Sequence, residues 1–376
     1  MSGKVKNLCC IFNYAPHYRL PIYDKIDKEC NAHFYFGNRL LNNECIAKLD
    51  YAKLKGFKRE LNVHSVKFGR ATVECTSGWL KLAVSPNYKQ YIITPNQYAL
   101  NQWLFLLICF VLRKEVYAWM HGLKSSQVSS KTLCLWRFYD FFLKGSFLYG
   151  NHARDNMIRL GFDGKKLHLI YNSLNYESSK RMRQVALSNP YSSYFQNDCP
   201  VLVFIGRLTA VKKLHMIPHA VDILKDRGVF VNVAFVGDGP EMENLQKAMA
   251  ADDVTKYWLV GALYDEQEIA RYLYFADICV SPGNVGLTGI HALSYGLPVI
   301  TNDNFEQQMP EFEAIEQGRT GDFFKEDDVC SLADKIESWL KNNNDRELVR
   351  QQCYQVIDEK YNPNYQVNLV KTVLEL

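Results

Sequence analysis

Short apolar runs alternate with helix-patterned segments along this chain, stop over one polar stretch, and then begin again. That rhythm restricts the fold more than any other feature. In the first half VKNLCCIF, HFYFG, YIITP, EVYAWM, FLYG and KLHLIYN read as strands. Their apolar residues run on rather than alternate, as in strands covered on both faces. Between them LPIYDKIDKE, a run starting at Asn96 or Asn101 and ending at Leu112, SKTLCLWRFYDFFLKG and HARDNMIRLG read as helices. Gly145 and Gly161 close the last two. Trp103 to Leu112 is an unbroken apolar run, too short for a bilayer span, and the expectation is a buried helix.

Residues 173–199 are polar, carry the basic run KRMR, and read as a linker with a short helix. At Pro200 the alternation restarts with strands PVLVFIG, VFVNVAFVG, YWLVG, DICVSPG and PVITN, separated by helices and followed by two closing helices. The expected fold is therefore α/β, two doubly wound Rossmann-like sheets: residues 1–175, residues 176–362, and a C-terminal helix over 363–376. A length of 376 residues suits two domains. Ligands of such sheets sit at the carboxyl ends of the strands, here expected to face an interdomain cleft.

The charge is unevenly divided. Residues 1–175 hold 25 Lys and Arg against 11 Asp and Glu, a net of +14, so the whole-chain +4 leaves −10 for the rest. A basic half suits an anionic membrane surface or an acidic acceptor; it also suits two domains that simply attract. The cations are dispersed, without interleaved aromatics, which argues against nucleic acid. The 11 cysteines show neither CxxC nor a metal spacing and read as reduced thiols. With polar residues leading straight into the first strand, the expected location is cytoplasmic, peripheral at the inner membrane face. The acidic pairs Asp252-Asp253 and Asp327-Asp328 lie in polar segments, and no metal is expected at either.

Chemistry gathers in two places. In SPGNVGLTGIHALSYGLPVI, Ser281 to Ile300, three glycines precede a helix whose free amides and dipole suit an anion. An ordinary strand-to-helix turn fits the same pattern. In FIGRLTAVKKL, Arg207 and Lys212 stand just past a strand end, where a fork and a point charge can clamp a diphosphate.

These segments, with VAFVGDGPEMENL, YWLVGALYDEQEI and PEFEAIEQGRTG in the same order, resemble the C-terminal domain of the GT-B glycosyltransferases of family 4. The form PGxVGLxxxHAxxxGxPVI resembles bacterial surface-polysaccharide glycosyltransferases. The resemblance implies a retaining transferase that takes a nucleotide-sugar as substrate, with no separate cofactor, and passes the sugar to a glycan or lipid-linked oligosaccharide. It implies catalytic roles for Arg207 and Lys212 on the diphosphate and for His121, in WMHG, toward the donor sugar. Donor contacts would come from Gly261 and Leu263 near the base, Gly286, Leu287 and Thr288 at the phosphates, and His291 and Glu313. His17, Tyr18 and Arg19 would border the acceptor. The last helix would cross back to the first domain.

One departure stands out. Relatives carry two glutamates eight positions apart in this loop, where this chain has Gly283 and His291. Glu306, Glu311 and Glu313 follow and could supply a carboxylate. Two other readings stay open: a GT-B epimerase or phosphorylase, and a non-catalytic glycan- or nucleotide-binding scaffold.

Overall fold

The computed structural model describes residues 7–39, 47–68, 71–125, 127–249, 254–343 and 345–376. Asp252 and Asp253 lie outside the described residues. The chain divides into two units, one of residues 1–173 with 363–376 and one of residues 174–362.

The first unit is built on strands β1 (Asn7–Phe12), β2 (Ala32–Gly37), β3 (Phe57–Leu61), β6 (Tyr88–Ile93), β7 (Glu115–Met120), β8 (Gly145–Leu148) and β9 (Leu167–Leu169). They form one parallel sheet in the order β3-β2-β1-β6-β7-β8-β9. Between β3 and β6 stands an antiparallel hairpin, β4 (Val63–Phe68) with β5 (Ala71–Thr76). Neither β3 nor the hairpin was readable from pattern, because their residues mix charge and apolar side chains. One sheet face packs Phe12, Phe34 and Phe36 with Tyr23 and Ile26 of the helix Leu20–Cys30. The final helix, Pro363–Leu374, completes that layer with Val367, Val370 and Leu374. It is tied by Gln366, whose Nε2 donates to the Tyr171 carbonyl at 3.0 Å and whose Oε1 accepts from Ser173 Oγ at 2.6 Å.

The second unit has six parallel strands: β10 (Val201–Ile205), β11 (Asn232–Val236), β12 (Tyr257–Gly261), β13 (Ile278–Ser281), β14 (Val299–Asn302) and β15 (Gly321–Phe324). Their order is β12-β11-β10-β13-β14-β15. All residues of β10, β11, β13 and β14 are buried, as suits strands that are mostly apolar and covered on both faces.

Three expectations need correction. Residues 173–199 are not a linker. They carry two helices, Tyr176–Met182 and Pro190–Phe195, packed into the second unit. Arg183 of this stretch bonds the Ser294 carbonyl at 3.1 Å and Asp358 at 2.8 Å. Tyr191 donates its hydroxyl to the Tyr272 carbonyl at 2.7 Å. Gly145 does not close a helix: that helix ends at Phe141 and Gly145 opens β8. The apolar run from Trp103 belongs to a helix, Leu100–Val111, that is buried on one side only.

Candidate functional site

In each sheet the strand order reverses beside the first strand, between β1 and β6 and between β10 and β13. At such a switch point neighbouring connections leave on opposite faces and open a crevice beyond the carboxyl ends. Most of the residues singled out from sequence collect at these two places; Gly261 and Leu263, at edge strand β12, and His17 do not.

In the second unit β10 ends into Gly206 and Arg207, and β13 ends into the glycine loop. Thr301, Asn302 and Gln308 fix that loop from beneath. Asn302 Nδ2 donates to the carbonyls of Pro282 and Gly283 at 2.8 and 2.9 Å. Thr301 Oγ1 donates to the Ser281 carbonyl at 2.8 Å. Gln308 accepts from the Val285 amide at 2.8 Å and donates to Thr301 Oγ1 at 3.0 Å. All three side chains are buried, so their bonds are shielded from water and hold one loop conformation. Sequence reading missed this support. Buried Thr, Asn and Gln just after an apolar strand were its only signal.

The loop ends at Gly286, whose φ of 52° and ψ of −148° a side chain would strain. From there the helix Leu287–Ser294 starts, with its first amides lacking intrahelical acceptors. Thr288 Oγ1 is not directed at a ligand; it donates to the Ile205 carbonyl at 2.9 Å and ties the helix start to β10. Lys212 comes from the turn Ala210–Lys212 and donates to the carbonyl and side-chain oxygens of Asn284 at 2.6 and 3.0 Å. Burial pulls its pKa down to about 8; the attraction of Glu311, and then of Cys279, offsets only part of this. Arg207 is exposed, and among the described residues it has no ion-pair partner. The result is one exposed cation and one hydrogen-bonded, buried cation beside a helix N-terminus, an arrangement suited to a diphosphate.

Gly283 has a packing reason. A Cβ there would lie 2.0 Å from the Val211 carbonyl oxygen and 2.6 Å from Lys212 Cα, and the Gly283 amide donates to the Lys212 carbonyl at 2.9 Å. The cation-bearing turn thus occupies the space a side chain at 283 would need. His291 is not free either: its Nε2 bonds Glu266 Oε1 at 3.1 Å, and the Tyr295 hydroxyl donates to the same oxygen. Burial acts to raise the Glu266 pKa. The bond from His291, its charge and the Tyr295 bond outweigh burial and hold the carboxyl below its ordinary range. Glu266 follows closely on Gly261 and Leu263, which lie at and just past the end of edge strand β12, so this pair joins the β12 loop to the glycine-loop helix. Of the later carboxylates, Glu311 is almost wholly buried at 2% exposure and is the group whose charge Lys212 feels most. Glu313 is half-buried in the same turn, Pro310–Ala314. Asp327 pairs with Lys213 at 2.6 Å and Asp328 caps the helix Val329–Asn342. Among the described residues no group of three His, Cys, Asp or Glu could hold a metal ion.

In the first unit a concavity of about 390 Å³ lies beyond β1, β6 and β7, lined among others by Tyr18, Arg19, Trp119, His121 and Tyr149. Arg19 donates to the Tyr149 hydroxyl and lies over the rings of Trp119 and Tyr149, 5.7 and 5.1 Å from their centroids. Trp119 is 3% exposed, and its Nε1 has no partner among the described residues. His121 follows β7 with its ring 4.8 Å from that of Tyr149. Its edge is open to water, yet desolvation by the concave wall, then Lys124 and Arg19, holds its pKa at about 4, so the imidazole is neutral near pH 7. His17 stands apart, exposed and bonded to the Ala47 carbonyl at 3.2 Å.

Residues 199–342 match the Glycosyl transferases group 1 family model. The matched segment lies within the second unit and holds every second-unit site residue named above. The sulfoquinovosyl transferase SQD2 of Arabidopsis thaliana is 27% identical over 176 residues, 46% of this chain and 31% of that protein. The alpha-monoglucosyldiacylglycerol synthase of Acholeplasma laidlawii is 28% identical over 185 residues, 46% of this chain and 44% of that protein. The chain thus spans less than half the length of these curated relatives. Among solved structures, Anabaena Alr3699/HepE in complex with UDP superposes with a TM-score of 0.70 at 14% identity, covering 98% of this chain and 100% of that one. The likeness assigns the GT-B fold, with two Rossmann-like units.

Proposed function

We propose that the protein is a retaining glycosyltransferase that moves a hexosyl group from a nucleotide-sugar to a glycan or lipid-linked acceptor in surface-polysaccharide synthesis. The arrangement of Arg207 and Lys212 with the Gly286–Thr288 helix start, at the switch point of the second unit, carries this reading. A sugar leaves a nucleoside diphosphate as negative charge builds on the diphosphate. Two cations and fixed backbone amides already aimed there stabilise that charge without reorganising, and so lower the barrier. The loop network of Thr301, Asn302 and Gln308 supplies that rigidity. His291, oriented by Glu266, retains Nδ1 for a ribose hydroxyl. Gly261 and Leu263 suit the base, and Glu313 stays a candidate for the sugar. His121 is neutral, so it can donate or accept a hydrogen bond toward the transferred sugar. Tyr18 and Arg19 suit the acceptor, and His17 its outer edge. The +14 excess of residues 1–175 supports an acceptor presented at an anionic, inner membrane face. UDP and UDP-hexoses are the first donors to try, since UDP occupies the similar Anabaena structure.

Titration calorimetry with UDP, GDP and ADP tests the donor site. One should bind, and Arg207→Ala should weaken it roughly 10- to 100-fold, the worth of one charge-assisted bond. Absence of binding by all three would sink the proposal. Proton NMR of the glycoside product reads the anomeric configuration. Donor turnover without acceptor would favour an epimerase, and binding with no transfer a scaffold.

A further inference from the structure

The helix Leu100–Val111 turns Gln102, Phe105, Leu106 and Cys109 into the core, the spacing of one helical face. Its opposite face should then be polar. Instead it presents Leu100, Leu104, Leu107 and Val111, which are 68, 45, 47 and 70% exposed. The neighbouring helix Ser130–Phe141 adds Phe138 and Phe141, 57 and 61% exposed. The two sets are contiguous. Phe138 stacks on Trp103 at 5.5 Å, and Phe141 lies 5.5 Å from Phe110, itself 52% exposed. Apolar exposure on this scale, contiguous across two helices, marks an interaction surface.

The charges around it are mostly positive. The helix Leu100–Val111 has no charged residue at all. The only carboxylate of the helix Ser130–Phe141 is Asp140, which faces Lys166 at 3.7 Å. At the ends of the two helices a shallow hollow is lined by Phe110, Val111 and Phe141 on its apolar side and by Arg113 and Lys144 on its polar side. Its acidic member, Glu115, accepts from Gln90 at 2.9 Å and lies 3.8 Å from Lys144. Lys131 adds a further exposed cation. A bilayer surface offers this combination in matching order: an acyl layer for leucine and phenylalanine, with phosphates at the level where Arg and Lys reach outward. No helix among the described residues is long and apolar enough to cross a membrane.

We infer that the paired helices Leu100–Val111 and Ser130–Phe141 form a monotopic docking face for an anionic lipid bilayer. The inference deepens the membrane part of the proposed function and rests on it, while standing apart from the transfer chemistry. Apolar side chains give the adhesion and the basic rim gives preference for anionic headgroups.

Vesicle flotation of the full chain tests this, using phosphatidylcholine alone and phosphatidylcholine doped with phosphatidylglycerol. The protein should float with the doped vesicles and much less with the neutral ones, and added salt should weaken binding. Leu107→Ser with Phe141→Ser should cut the partition by at least about 10-fold, because both residues are exposed and their loss removes adhesion rather than core. Leu348→Ser, an exposed leucine of the second unit, should leave it unchanged. Differential scanning fluorimetry on each variant reports folding and UDP calorimetry the donor site, so loss of the fold or of nucleotide binding is told apart from loss of lipid binding. Absence of vesicle binding by the wild type, or equal binding by the double variant, would overturn the inference. So would light scattering that shows a dimer which the double variant dissolves without any lipid affinity; the face would then belong to a second copy.

Discussion

Gly283 and Lys212 show how far single residues decide this site. The sequence resemblance implies a glutamate where this chain has Gly283, and restoring it would seem a repair. The geometry says otherwise, since a Cβ would strike the Val211 carbonyl at 2.0 Å and backbone cannot yield as a flexible side chain can. Gly283→Glu should therefore lower the melting temperature by several degrees, for a loss of about 1–3 kcal/mol from overpacking, and should abolish UDP binding by displacing Lys212. A variant as stable as the wild type in differential scanning fluorimetry, with gained activity, would contradict this. Lys212 predicts a pH profile. Its folded pKa, about 8, lies below the ordinary 10.5, so the ammonium is full below about pH 7 and fades as pH climbs through 8. Affinity for a nucleoside diphosphate should fall across that window in calorimetry, and Lys212→Gln should flatten the profile. Stability of the ligand-free protein has the opposite sign. Between about 8 and 10.5 the unfolded chain binds the extra proton, so this group adds stability as pH rises. Arg207, Lys212 and the glycine loop were legible in the sequence because charge next to a strand end and glycine before a helix leave local marks. Glu266 was not. Its role comes from meeting His291 across 25 positions, and no local pattern records that meeting.

At the level of elements, β10 to β14 of the second unit were easy to read because they are mostly apolar, whereas β15 (GDFF), short and carrying Asp322, was not. Nor were the hairpin β4–β5 and strand β3, since strands with charged positions lose that apolar character. The helix Leu100–Val111 misled in the other direction: ten apolar residues signal a core, and sequence carries no record of which face finds a neighbour. The 281–286 loop illustrates a third case, an element whose shape is set by residues outside it. Gln308 holds three carbonyl or amide groups of the loop and of β14 as well as the Thr301 hydroxyl. Gln308→Ala would leave several buried polar groups unsatisfied, each costing about 1–3 kcal/mol less any water that enters. The expected result is a drop of several degrees in melting temperature with a larger fractional loss of UDP affinity. An equal loss of stability with unchanged affinity would mean that the loop holds its shape without this support.

Over the whole molecule, the chain is not two consecutive halves. The second unit ends at Asn362 and the last twelve-residue helix, Pro363–Leu374, returns to the first. It supplies Val367, Val370 and Leu374 to the core beside the helix Leu20–Cys30, and buried Gln366 satisfies both the Tyr171 carbonyl and the Ser173 hydroxyl. Residues more than 300 positions apart thus share one hydrophobic layer, which makes the first unit dependent on the returning helix. Truncation after Asn362 should remove three buried aliphatic side chains, worth roughly 1.5–3 kcal/mol each, and leave Gln366's two partners unsatisfied. Such a loss is comparable with the whole stability of a domain. The second unit loses nothing internal by this cut. A chain ending at Asn362 should therefore still bind UDP by calorimetry with an affinity within a few-fold of the full protein, while amide exchange of β1, β2 and the helix Leu20–Cys30 rises to unfolded rates. Protection retained there would show that the first unit holds its core without the returning helix. Loss of UDP binding would show that the donor site, although its residues all lie in the second unit, needs an intact first one.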